Sequence, residues 1–204
     1  MDPRFNGIVW TGSHLLDVRD PNPDLIKTRD IARGLSRKNR FGGHTRDDLP
    51  AYPITWHSLF CEAVADQMGL PLWVRFQAFL HDAPEYILSD IITPVKALLA
   101  GYHPLEAGLW RAIAQRFQLP AEFHPAVHEI DVLALEAERF FLVTPQAWDP
   151  KPEIPAEWAV MAQRWFEFAL SRQGSNPEFS AGLFVSRVRA LEEAMADGGN
   201  DAEV

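Results

Sequence analysis

A histidine and an aspartate stand side by side at His81 and Asp82, at the end of an otherwise apolar stretch of the sequence. Two ionisable groups are costly in such surroundings unless something binds them, and a metal ion would satisfy both. Further candidate ligands are His57, in the first turn of an earlier predicted helix, and Asp131, in a later segment with apolar flanks. Two imidazoles and two carboxylates form a mixed nitrogen and oxygen site that suits a divalent ion such as Mn, Co, Fe or Zn.

More ionisable residues follow the pair in the segment HDAPEYILSDIITPVK. Glu85, Asp90 and Lys96 lie 4, 9 and 15 residues after His81. Together with the order of the candidate ligands, H…HD…D, this segment resembles the HD-domain metal-dependent phosphohydrolases. It is most similar to the bacterial 5′-deoxynucleotidases and to the related phage and bacterial deoxynucleotide triphosphohydrolases, in which Glu, Asp and Lys occupy these same offsets.

The similarity extends upstream of the first histidine. Arg40 and the adjacent Phe41 precede His57, as an arginine and an aromatic residue do in that group, although a tryptophan is frequent at the Phe41 position of the deoxynucleotidases. The resemblance covers about residues 28 to 143.

The resemblance implies a role for each matched residue. The implied metal ligands are His57, His81, Asp82 and Asp131. The implied catalytic groups are Glu85 and Asp90, and the implied substrate-binding side chains are Arg40, Phe41 and Lys96. His44, in a polar loop that follows two glycines, is a further candidate for contact with the nucleotide.

Most of these residues also have a simpler structural explanation. Asp90 is well suited to cap a following helix, and Arg40 would interact favourably with the C-terminal end of a helix dipole. Lys96 could be a solvated surface residue, and Phe41 could pack against the end of its helix. The alternatives of a structural and a functional role therefore stay open for each residue taken alone.

Two other groups of side chains stand out. His124 and His128 are four residues apart, and His128 is three residues before Asp131, so that a second metal site is conceivable; a surface or supporting role is the more common explanation. A stripe of aromatic residues near the C-terminus favours core packing first and a subunit interface second; its members are Trp158, Trp165, Phe166 and Phe168.

The composition of the 204-residue chain is typical of a folded protein, with 47% hydrophobic and 23% charged residues. The formal net charge of −9 argues against stable binding to a nucleic-acid backbone, which requires clustered cations. The single cysteine, Cys61, cannot form an internal disulfide, and the N-terminal sequence lacks a signal-peptide pattern. Charges interrupt every apolar stretch well before about 18 residues. We therefore expect a cytoplasmic protein without a membrane span.

Apolar periodicity predicts an all-α protein, a compact bundle of about six to eight helices. The resemblance makes this an HD-domain bundle. Helices are predicted over about 28–41, 56–68, 71–83, 94–100, 104–118, 121–143, 156–172 and 178–196, and Thr55 is a candidate N-cap for the second. Residues 1–204 are predicted to form one domain, with an arm of short strands or extended chain over 1–27 and a frayed tail over 197–204.

The predicted activity is metal-dependent hydrolysis of phosphate from a small deoxynucleotide, with no organic cofactor. Two alternatives belong to other functional classes: a regulatory nucleotide-binding protein that has lost catalysis, and a di-iron HD-fold oxygenase, which requires additional histidine ligands. The sequence leaves open the base, the number of phosphates removed and the native metal. Self-association is expected because relatives in the resembled group are homo-oligomers.

Overall fold

A computed structural model describes residues 6–143 and 154–198 of the chain. Its helices are α1 (Thr28–Ser36), α2 (Ile54–Gln67), α3 (Leu72–Leu80), α4 (Glu85–Leu88), α5 (Thr93–Lys96), α6 (Tyr102–Arg116), α7 (Pro125–Leu142), α8 (Ala156–Ala169) and α9 (Pro177–Asp197). Seven of these have nine or more residues, whereas α4 and α5 are single turns. The predicted all-α class is confirmed.

The N-terminal arm is a short hairpin followed by a single 3₁₀ turn. Strands β1 (Ile8–Trp10) and β2 (Leu15–Asp17) pair antiparallel, with Val9 opposite Leu16. Leu16 is fully buried, which anchors the hairpin to the helices. The short strands predicted within residues 1–27 are thereby confirmed. Of the predicted tail, only residues 197 and 198 are described, and Asp197 is the last residue of α9.

The predicted start of α2 was wrong. Thr55 lies inside the helix, its hydroxyl has no hydrogen-bond partner among the described residues, and Pro53 is the boundary residue instead. The physical reason is a long-range backbone contact, because the Ile54 N–H donates to the carbonyl oxygen of Lys38 at 2.9 Å. That bond satisfies the first N–H group of α2, which has no partner within the helix. The predicted helix over 94–100 is also shorter than expected and ends at Lys96.

Two clusters of buried side chains form the core, and α2 and α3 contribute to both. Phe76, Phe79 and Phe184 belong to the first cluster, whereas Phe60 and Phe166 belong to the second. Three members of the C-terminal aromatic stripe meet the second cluster, as the sequence pattern predicts: Phe166 is buried within it, and Trp158 and Trp165 pack against it. The core position predicted for Phe168 was wrong, because its ring is 44% exposed and contacts Trp56 only edge-on. In the described part of the chain, no helix is long and apolar enough to cross a membrane.

Helix α1 packs closely against α4 at a glycine. A Cβ atom at Gly34 would lie 2.8 Å from both the Cβ and the carbonyl oxygen of Tyr86. Next to this contact, Lys38 Nζ donates to the carbonyl oxygens of Glu85 and Tyr86 at 2.7 and 2.6 Å. Because Glu85 begins α4, the absence of a side chain at position 34 helps to set where the Glu85 carboxylate lies.

We predict that Gly34→Ala destabilises the protein by about 1 to 3 kcal/mol, since an added methyl group would overlap the Tyr86 backbone. Gly182→Ala in α9 is the matched control, because nothing lies within 4 Å of its added Cβ. The control should stabilise the helix by up to about 1 kcal/mol. Urea unfolding followed by circular dichroism measures both changes, and equal shifts in the two variants would contradict the close approach of α1 and α4.

Candidate metal centre

Two helices and the end of a third bring the four predicted ligands together. His57 is the fourth residue of α2, Asp131 lies within α7, and His81 and Asp82 directly follow the last residue of α3. Helix α7 packs against both α2 and α3. The residues that are far apart in sequence therefore meet where these three helices contact one another.

The ligand atoms converge at spacings between 3.3 and 3.5 Å. His57 Nε2 lies 3.3 Å from His81 Nε2, 3.3 Å from an Asp82 oxygen and 3.3 Å from an Asp131 oxygen. His81 Nε2 lies 3.5 Å from an oxygen of each of the same two carboxylates. An ion that binds its ligands at about 2.0 to 2.1 Å in a tetrahedron separates them by about 3.3 to 3.4 Å. The spacings fit such an ion.

The outer nitrogen of each imidazole has its own acceptor. His81 Nδ1 donates to the carbonyl oxygen of Ala78 at 2.8 Å, and His57 Nδ1 donates to a Glu138 oxygen at 2.9 Å. In the neutral imidazoles the proton is then on Nδ1, so that both Nε2 atoms present lone pairs to one another and to the carboxylates. Such a concentration of acceptors is unfavourable unless positive charge is added, and hydrogen bonds from the outer ring nitrogen are typical of metal-binding histidines.

Cys61 adds a sulfur atom to the group. It is fully buried and lies one helical turn after His57 on α2, with Sγ 3.6 Å from His57 Nε2. His57, Cys61 and His81 form a group that could hold a metal ion. Sequence reasoning treated Cys61 only as a residue without a disulfide partner. The four-residue spacing from His57, which places both side chains on one helix face, was the available signal.

The protonation of the site shows how strongly it attracts positive charge. Burial would lower the pKa of His81, but the carboxylates of Asp82 and Asp131 outweigh burial and raise it to about 10. For Asp131, burial by itself would raise the pKa of the carboxyl group. The hydrogen bonds with His57 and His81 outweigh burial and hold this pKa well below its ordinary value. Protons on the imidazoles are one means of balancing the charge of these carboxylates, and a bound divalent cation is the other.

A buried arginine and a buried glutamate lie behind the ligands. Arg40 Nε donates to Glu138 at 2.9 Å, and its NH1 group lies 3.3 Å from an Asp82 oxygen and 3.7 Å from an Asp90 oxygen. Sequence reasoning missed Glu138, which is fully buried. Its position seven residues after Asp131 places both on one face of α7 and could have indicated it.

The predicted catalytic carboxylates lie beside this network. Lys96 Nζ donates to Glu85 at 3.1 Å and to Glu106 at 3.2 Å, so that Glu106 is a second residue that sequence reasoning missed. One oxygen of Glu85 and one of Asp90 are buried without a hydrogen-bond partner among the described residues. Unpaired buried carboxylate oxygens are unfavourable and are expected where a ligand or water completes the site.

The remaining candidates lie at the edge of this centre. Phe41 adopts a left-handed backbone conformation, with φ of 58°, and its half-buried ring packs against the second core cluster. His44 is exposed at the end of the same turn, Arg40–Gly43. His124 caps α7, where its Nδ1 accepts the Ala126 N–H, and it therefore lies outside the helix that the i, i+4 pattern assumed.

A cleft of about 620 Å³ opens beside the ligand atoms. Its lining includes His81, Asp82 and Asp131 together with aromatic residues of α6 and the following loop. The volume is in the range that small-molecule sites occupy. A ligand in this cleft would reach the metal centre directly.

No family model matches the chain. It is 45% identical over 109 residues to the uncharacterized protein RCAP_rcc00048 of Rhodobacter capsulatus, and the matched region covers 52% of this chain and 55% of that protein. It is 32% identical over 118 residues to the uncharacterized protein YfdR of Escherichia coli K12, and here the matched region covers 58% of this chain and 62% of that protein. The matched region thus spans between half and two thirds of the curated relatives.

We predict a pH-dependent stabilisation by Glu85→Gln in metal-free protein. Burial and then the neighbouring Asp82 and Asp90 raise the pKa of Glu85 from 4.5 to about 8. Between these pH values the folded protein retains a proton that the unfolded chain releases, so the Glu85 contribution to stability falls as pH rises. Removing the charge should raise Tm by at least about 2 °C at pH 8, and by progressively less toward pH 5.

Thermal unfolding after chelator treatment measures this difference. Glu129→Gln, at an exposed position of α7, is the control and should leave Tm unchanged at both pH values. A gain for Glu85→Gln that is the same at pH 5 and pH 8 would contradict the raised pKa.

Proposed function

We propose that the protein is a metal-dependent phosphohydrolase of the HD superfamily that removes phosphate from deoxynucleotides. The observation that carries the proposal is the convergence of His57, His81, Asp82 and Asp131 in the order H…HD…D. Their spacing suits a divalent ion of the Mn, Co, Fe or Zn class, and both imidazoles are turned toward the centre by acceptors on their outer nitrogens.

The ligand set proposed here favours the two aspartates over Cys61. Asp131 lies 3.3 Å and the Cys61 sulfur 3.6 Å from His57 Nε2, distances that suit an oxygen and a sulfur ligand respectively, but Cys61 is fully buried and is not among the residues that line the cleft. Asp82 and Asp131 also line the cleft through which a substrate would enter. When bound, a divalent ion supplies Lewis acidity toward a phosphate oxygen and makes water more acidic.

Glu85 and Asp90 are the proposed proton-handling groups. Hydrolysis joins the oxygen of water to phosphorus, breaks the phosphoester bond and transfers a proton to the departing oxygen. Glu85 orients the water and accepts its proton, and Asp90 acts on the departing side or on a sugar hydroxyl. The unpaired oxygen of each carboxylate supports these roles, since a buried acceptor without a partner is unfavourable until water or a ligand completes its hydrogen bonding.

Lys96 and Arg40 supply fixed positive charge near the phosphate. Lys96 Nζ donates hydrogen bonds to both Glu85 and Glu106. Its contact with Glu85 links its charge to the reacting groups. The contacts of Arg40 with Asp82 and Glu138 support a positioning role for its guanidinium, beside the phosphate contact that the family resemblance implies. The contacts of Phe41 with the sugar and of His44 with the nucleotide stay predictions.

The two alternative functions receive less support from the site. A regulatory protein without catalysis would not need the buried, unpaired carboxylates of Glu85 and Asp90. A di-iron oxygenase needs further histidine ligands. The His103 side chain is 71% exposed, and His124 Nδ1 is occupied in capping α7.

A substrate screen tests the proposed function. Protein loaded separately with Mn, Co, Fe or Zn is incubated with deoxynucleoside mono-, di- and triphosphates, and products are identified by chromatography. We expect metal-dependent release of phosphate or triphosphate from at least one class. Absence of product with all four metals and all three classes would contradict hydrolysis.

We predict that His81→Ala and Asp131→Asn lose the bound metal while the protein stays helical, because the core does not depend on one ion. His103→Ala is the control, since that side chain is 71% exposed. Metal content by mass spectrometry and helicity by circular dichroism measure the two effects. Full metal occupancy in both variants would contradict the ligand assignment.

We predict that Glu85→Gln retains the metal but lowers kcat by at least about 10²-fold, the usual effect of removing a positioned acid–base group. Steady-state kinetics on the best substrate of the screen measures this loss. Glu129→Gln should retain wild-type kcat. An unchanged kcat in Glu85→Gln would assign Glu85 a structural role.

A further inference from the structure

Part of the lining of the cleft beside the metal centre is aromatic. His81, Asp82 and Asp131 line this cleft of about 620 Å³ together with Trp110 and Phe123. Trp110 lies in α6, and Phe123 lies in the loop before α7. A ligand that reaches the metal centre therefore passes alongside these two rings.

The exposed ring of Phe123 rests on a fixed support. Phe123 is 44% exposed, and its ring stacks on Trp110 with centroids 4.2 Å apart and planes inclined by 25°. Trp110 itself is buried, and its Nε1 donates to the carbonyl oxygen of Ala121 at 2.7 Å. One face of Phe123 is thus covered by an immobile ring, while the exposed part of its surface lines the cleft.

A buried glutamine holds the loop that carries Phe123. Gln77 is fully buried in α3, and its Nε2 donates to the carbonyl oxygens of Pro120 and Glu122, each at 2.9 Å. Its Oε1 accepts the His124 N–H at 2.9 Å. Gln77 precedes His81 by one helical turn. Helix α3 therefore positions both the loop that carries Phe123 and the proposed metal ligand His81.

A preorganised, partly exposed aromatic ring is the feature that binds a planar base. Stacking on a ring already held in place costs little conformational entropy, and every base offers a suitable face. We propose that Phe123, supported by Trp110, is the surface on which the base of the nucleotide stacks while its phosphate lies at the metal centre. This inference rests on the proposed function and adds the site of the base.

The stacking surface has consequences for substrate range. Because stacking depends on ring area and is tolerant of base identity, both purine and pyrimidine nucleotides bind, and purines depend more on Phe123. A phosphorylated sugar without a base does not depend on Phe123 at all. These differences separate a binding surface from a residue that only packs the loop.

The experiment compares dAMP, dCMP and 2-deoxyribose 5-phosphate in metal-loaded wild type, Phe123→Ala and Phe123→Trp. For Phe123→Ala we expect kcat/KM to fall about 5- to 150-fold with dAMP, less with dCMP, and not with 2-deoxyribose 5-phosphate. The loss should appear mainly in KM, and Phe123→Trp should restore activity. Phe140→Ala, which removes an equally exposed ring on α7, is the control and should match wild type.

Binding measured by calorimetry separates this inference from the proposed function. If no substrate is hydrolysed, weaker binding of dAMP to Phe123→Ala than to wild type still supports stacking, whereas absence of dAMP binding to wild type overturns it. An equal loss of kcat/KM with all three substrates, or no loss with any, also overturns the stacking role while leaving hydrolysis intact.

Discussion

Two imidazole nitrogens and two carboxylates from three elements of the fold meet, with each nitrogen 3.3 to 3.5 Å from the other nitrogen and from an oxygen of each carboxylate, and the rest of the site depends on balancing their charge. The outer nitrogens of the imidazoles donate to Glu138 and to the Ala78 carbonyl. The carboxylates are those of Asp82 and Asp131. Lone pairs and negative charges at this spacing repel one another in a buried setting, so positive charge, carried by protons on the imidazoles or by a bound cation, stabilises the site. The packing of α7 on α2 and α3 maintains the arrangement.

The same requirement explains the other charges within the core. Glu138 orients His57 and would be a costly buried charge by itself, but Arg40 pairs with it and also with Asp82. Lys96 holds Glu85 in a comparable way. A net charge of −9 is therefore compatible with a site for a phosphate substrate, because the cations are placed locally and the acidic side chains hold them.

Sequence reasoning placed the elements well where the signal is local. Apolar periodicity was enough for the all-α class and for most helices. The start of α2 was misjudged because a carbonyl oxygen from Lys38, distant in sequence, bonds to Ile54. No local pattern carries that information.

The ordered motif was likewise sufficient to select the four side chains that converge, whereas the partners Glu138 and Glu106 act across helices and have no counterpart in a linear motif. The Phe123 surface depends on Gln77, a polar residue in an apolar helix, whose role emerges only when the loop it holds is seen.

Zinc K-edge X-ray absorption of the zinc-loaded protein tests the central claim most directly, because it reports which atoms surround the ion. The account predicts a shell of nitrogen and oxygen ligands at about 2.0 to 2.2 Å, with an imidazole signature from His57 and His81 and no sulfur at about 2.3 Å. The spectrum should be the same in Cys61→Ser. A sulfur shell that disappears in Cys61→Ser, or a shell without imidazoles, would contradict the assignment of His57, His81, Asp82 and Asp131 as the ligands.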